Sequence, residues 1–118
     1  MTNFVKVVRQ YLFSLIVTII VFLFISNPVL AVSQNEGAAI FKANCAACHP
    51  KGGNIIRRGK TLKEKALKRN HLDTIEAIAS IVSKGKNNMP AYEERLSSQE
   101  IKSVSSYVIQ KAALNWRN

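Results

Sequence analysis

The chain has 118 residues, with 17 Lys and Arg against seven Asp and Glu for a formal net charge of +10. That length holds one domain at most, small enough to need a staple such as a metal or a covalent link, and two cysteines are available for it. There is no internal repeat and no low-complexity tract, which excludes a repeat architecture.

The first 31 residues have the order of a secretory signal peptide. Lys6 and Arg9 form a basic start, an uncharged apolar run extends from Tyr11 to Ile25, and a polar break at Asn27-Pro28 precedes the small-residue ending Val29-Leu30-Ala31. Cleavage is expected after Ala31. The competing reading is a retained anchor, against which stands a run of about 15 apolar residues where a spanning helix needs roughly 20. No paired arginine opens the chain, so export of the unfolded chain is expected. Residues 32–118 then form the folded domain, which retains 15 basic and all seven acidic residues for a net charge of +8.

Ser33 to Cys45 reads as the first helix of that domain, with Ser33 as N-cap and Glu36 at capping-box spacing. Gly37 inside it costs about 1 kcal/mol relative to alanine, which is tolerable where another element must approach closely. Pro50 to Lys60 is rich in Gly, Asn and Arg and reads as a surface loop. Leu62 to Arg69 forms a short basic helix. Asp73 to Lys84 forms a better one, capped by Asp73 with Glu76 three residues on, apolar at Ile75, Ile78 and Val82, and ended by Gly85. A loop through Lys86-Asn87-Asn88-Met89-Pro90 leads to a last helix that starts at Ser97, with Glu100 as its capping partner. Its apolar side is Ile101, Val104, Val108 and Ala112, with Tyr107 beside them. No segment alternates in the manner of a strand, so the fold class is all-α, with four to five short helices.

The chemistry sits in Cys45-Ala46-Ala47-Cys48-His49, the pattern C-x-x-C-H of covalent haem c attachment. Two thiols one turn apart reach two vinyl groups, and the histidine that follows is carried beneath the iron. A thioredoxin-like dithiol wants a βαβ setting that is missing here, and a structural zinc site wants four ligands where this segment offers three. An electron carrier also needs the sixth iron position filled. Outside the leader, Met89 is the sole methionine and His71 the sole histidine besides His49. Met89 precedes a proline in a loop, and a His/Met pair is a recognised haem ligation, so His49 and Met89 are the expected axial ligands. The competing reading of Met89 is core filler. His71, in the polar stretch KRNHLD, reads as an exposed turn residue.

Together these residues resemble the cytochrome c6 family. The resemblance runs through Gly37-Ala38-Ala39-Ile40-Phe41, CAACH, Gly52-Gly53, Lys60-Thr61-Leu62, Asn87-Asn88-Met89-Pro90, Arg95-Leu96-Ser97, Tyr107-Val108 and Trp116. It implies a four-helix class I cytochrome c fold, His49/Met89 ligation, and packing of Gly37 and Phe41 against the C-terminal helix near Tyr107. It also implies electron delivery from cytochrome b6f to photosystem I or a terminal oxidase, in the thylakoid lumen or periplasm. The sequence departs from the family at Ile81, where standard members carry a glutamine close to the haem, and at Arg57-Arg58 and His71. Low-potential relatives are apolar at the position of Ile81, so a low-potential carrier is the alternative. Burial alone gives the opposite sign, since a lower dielectric disfavours the more charged ferric state; a lowering must come from a lost polar contact.

Nine of the 15 basic residues of the domain lie between Lys42 and Arg69, a stretch suited to steering onto an acidic partner. Export argues against nucleic acid, and neither a small-molecule substrate nor a stable oligomer is expected. A haem sensor or peroxidase-like protein is the other competing class. It differs in requiring an open sixth position on the iron.

Overall fold

The computed structural model describes residues 1–24 and 29–117, with side chains at 1–21 and 35–117. Among them are five α-helices and no strand, in agreement with the all-α expectation. Helix α1, Thr2–Phe24, carries no acid in its first turn and no base in its last. Its apolar side chains, Leu12, Phe13 and Ile16 among them, are exposed, and it touches none of the other helices. Residues Thr2–Val21 are long and apolar enough to cross a membrane, a property shared by anchors and signal sequences. The helix takes in residues on the N-terminal side of the apolar run, so length by itself does not separate an anchor from a signal sequence. The expected break at Asn27-Pro28 and the side chains of Val29-Leu30-Ala31 lie outside the described residues.

Helix α2 spans Val29–Asn44, so its expected start at Ser33 is corrected. Val-Leu-Ala-Val contains no helix breaker, and helix therefore propagates upstream of the serine. Glu36 instead accepts a 2.6 Å hydrogen bond from the hydroxyl of Ser103. Helix α3, Glu64–Arg69, is flanked by Lys63, which makes no side-chain cap. Helix α4, Ile75–Lys84, is capped by Thr74 and not by Asp73: the Thr74 hydroxyl accepts from Ala77 N at 3.1 Å. Both residue types cap well, and shifting the boundary by one residue puts Glu76 out of capping-box register. Gly85 ends α4 as expected, at φ 71°. Helix α5, Ser98–Ala113, starts with the full capping box, Ser97 and Glu100 each bonding the other's backbone N–H.

Helix α5 is the centre of the domain. Ile101, Val104, Val108 and Ala112, the stripe read from the sequence, are each at most 5% exposed. They pack against Ile40 and Phe41 of α2, Leu67 of α3, and Ile78 and Val82 of α4. At the α2–α5 crossing a Cβ on Gly37 would overlap the Ser103 carbonyl, so glycine here is the condition for the two backbones to approach. One turn further along, Phe41 meets Tyr107 at a ring-centroid distance of 5.5 Å and Trp116 at 5.0 Å.

Candidate functional site

Helix α2 ends by tightening into a turn. Cys45 N and Ala46 N both bond Phe41 O, Cys48 N donates to Cys45 O at 3.1 Å, and His49 N donates to Cys45 O at 2.9 Å. Cys45 and Cys48 thus stand about one turn apart at a helix end. Burial, followed by the neighbouring Cys48, pushes the Cys45 thiol up to about 11.

The His49 ring is oriented by its Nδ1, which lies 2.9 Å from Gly53 O. A 3-10 turn over Pro50–Gly52 places that carbonyl. With Nδ1–H donating to a carbonyl acceptor, Nε2 retains a lone pair for a ligand. Trp116 secures this segment from outside. Its ring lies over Gly52, and its Nε1–H donates to Leu62 O at 2.9 Å.

Cys45, Cys48, His49 and Met89 all line one cleft, whose walls include Phe41, Leu67, Ile78, Ile81, Val82 and Val104. Met89 is half-buried and comes from the loop after α4, its N–H and C=O both paired with Lys86 at 3.0 Å. Ile81 stands on the α4 wall. His71 is exposed, lies in a left-handed turn at φ 55° and lines no part of the cleft, as expected for a turn residue.

Arg57, Lys60 and Lys86 also line the cleft, with Asn54, and no carboxylate does. Asn54 organises this part: its Oδ1 accepts from Ile56 N and Arg57 N, and its Nδ2 donates to Lys60 O. Lys60 bonds Asn70 in turn. Beside them Ile55 and Ile56 are 65% and 55% exposed. Apolar walls, paired thiols, an oriented imidazole, a thioether and basic groups without acids fit a flat apolar macrocycle bearing two carboxylates and a soft-to-borderline metal. The donor set therefore fits haem c.

Sequence reasoning missed two residues. Asn54 carries a signal of the usual kind, an Asx side chain ahead of a glycine-containing loop. Tyr92 carries none. It is 7% exposed, lines the cleft, and donates its hydroxyl to Asn44 O at 3.0 Å across 48 residues of sequence. Burial pushes its phenol up, which keeps the hydroxyl a donor.

Comparison with known proteins adds an independent line. The family model described as cytochrome c oxidase, cbb3-type, subunit III matches residues 32–108. The chain is 47% identical over 117 residues to a protein of Nostoc sp. called cytochrome c6-like, covering 99% of this chain and 100% of that one. It is 44% identical over 92 residues to cytochrome c6 of Synechococcus sp., covering 78% of this chain and 82% of that protein. Among solved structures, cytochrome c6C from Synechococcus sp. PCC 7002 superposes with a TM-score of 0.66 at 53% identity, covering 67% of this chain and 96% of that one.

Proposed function

The chain belongs to the cytochrome c6 family, and from that membership we propose that Cys45 and Cys48 hold its haem while His49 and Met89 ligate the iron. As a family member the protein carries one covalently attached haem c and is an electron carrier, not an enzyme. The haem iron supplies the one-electron couple. The residues around it do the rest. Gly53 O holds the His49 ring in one orientation. The Lys86 pairing fixes the backbone of Met89, so little has to move when charge changes. Apolar side chains from α2, α4 and α5 wall the cleft. The observation that carries this reading is the meeting of the CAACH turn and Met89 in one cleft without acidic groups.

Family members are exported electron carriers that serve membrane complexes. We assign this chain to the thylakoid lumen, between cytochrome b6f as donor and photosystem I as acceptor. Residues 1–31 act as its signal peptide and 32–118 as the cytochrome domain. Intact mass of the exported protein tests the leader: a chain beginning at Val32 supports it, and a chain retaining α1 makes the protein a membrane-anchored carrier.

Ile81 favours a second reading, a low-potential carrier serving another acceptor such as a terminal oxidase, because on the α4 wall of the cleft it offers no polar contact where the family's glutamine would. Potentiometric titration of the holoprotein, with flash-induced oxidation by photosystem I particles, decides between the two. A potential close to that of the standard photosynthetic carrier, with rapid oxidation, supports the first. A markedly lower potential, with no oxidation, overturns it in favour of the second.

A further inference from the structure

The turn that brings Cys45, Cys48 and His49 together leaves a deficit in backbone hydrogen bonding. In a continuing α-helix Cys48 N–H would donate to Asn44 O; here it donates to Cys45 O, and His49 N–H goes to the same carbonyl. Asn44 O, the terminal carbonyl of α2, thus loses its helical partner at the point where the chain enters the cleft. Its donor is the Tyr92 hydroxyl, at 3.0 Å.

Tyr92 belongs to the other side of the site. Its N–H bonds Val82 O and Ser83 O, which ties it to the last turn of α4, and its carbonyl accepts from Arg95 N and Leu96 N. The Arg95 guanidinium sits 4.9 Å from the centre of its ring. Three residues earlier is Met89, in a loop tightened by Gly85 and by the paired bonds to Lys86. Among the described residues, the hydroxyl of Tyr92 makes the one hydrogen bond that joins the segment 85–96 to the segment 35–62.

We propose that Tyr92 is a positioning residue whose hydroxyl latches the Met89 loop to the Cys45–His49 turn, so that retention of the methionine sulfur on the iron depends on this bond. The inference rests on the reading of Met89 as axial ligand. Removing the hydroxyl leaves the ring, its packing and its backbone bonds in place, but leaves Asn44 O without its donor. The loop then opens more easily, and an added ligand displaces the sulfur at lower concentration.

The test is imidazole titration of the ferric holoprotein and of its Tyr92→Phe variant, followed by the Soret shift and by loss of the sulfur-to-iron charge-transfer band. Loss of one ordinary hydrogen bond should lower the apparent dissociation constant for imidazole about fivefold. Thr74→Ala, which removes the cap of α4 away from the cleft, serves as a control for general destabilisation. It should lower the denaturation midpoint and leave imidazole binding unchanged. An imidazole constant for Y92F within twofold of the parent overturns the proposal, as does an equal gain in both variants. If the parent itself lacks the sulfur-to-iron band, the Met89 assignment fails first and takes the proposal with it; a parent band with an unchanged Y92F overturns the latch alone.

Discussion

Each cleft residue has one physical job, and single substitutions separate them. Met89 is the thioether on the cleft, so Met89→Ala should leave the haem attached but open the sixth position. The reduced variant then binds carbon monoxide near neutral pH while the parent does not, as absorbance difference spectra will show. Carbon monoxide binding by the parent would instead favour a sensor or peroxidase-like protein. Ile81→Gln restores a polar contact on the α4 wall and should raise the reduction potential, measurable by spectroelectrochemical titration. Glu100 belongs to the same scale. Hydrogen bonds from the backbone and side chain of Ser97 hold its carboxyl below the usual range. Its folded value lies under its unfolded one, so its contribution to stability is complete above the ordinary carboxylate value of about 4.3 and fades as pH falls through the folded value. Urea midpoints should therefore fall less steeply with acid in Glu100→Gln than in the parent.

At the scale of elements, the α2–α5 crossing governs the cleft, because α2 delivers the haem-binding turn and α5 supplies its floor. Gly37→Val would drive a side chain into the Ser103 carbonyl and Tyr107. Overpacking of this kind costs roughly 1–3 kcal/mol. Chemical denaturation should reveal a loss in that range, or larger where the backbone cannot yield. This crossing was visible in the sequence as a glycine four residues before Phe41 inside an apolar helix. The α5 capping box was equally visible, since Ser97 and Glu100 satisfy each other locally. The start of α2 and the cap of α4 were not: several adjacent residues can serve there, and tertiary packing sets the boundary.

At the scale of the molecule, charge is unevenly distributed. Arg57 and Lys60 line the cleft beside the exposed Ile55 and Ile56, and Arg58, Lys63, Lys65 and Arg69 continue the basic stretch, while Lys68 is paired with Glu64. Such a surface suits an acidic partner, and screening should weaken it as the Debye length falls from about 10 Å at 0.1 M salt to about 3 Å at 1 M. If photosystem I is the acceptor, electron exchange with photosystem I particles should slow as salt rises, and Arg58→Gln should reduce both the rate at low salt and its salt dependence. A stopped-flow or flash-photolysis series in sodium chloride checks both. A salt-insensitive rate would remove the steering argument.

The sequence by itself determined the cofactor class, the helical fold class and the family, because CAACH is a contiguous motif and the buried stripe of α5 repeats at helical spacing. Both are short-range properties that one stretch of chain can encode. Only the tertiary structure decided that Asn54 turns Arg57 toward the cleft and that Trp116 covers Gly52. It alone revealed the bond from Tyr92 to Asn44, 48 residues apart. Pairings of that kind depend on how helices cross, and the crossing is set by the packed core as a whole.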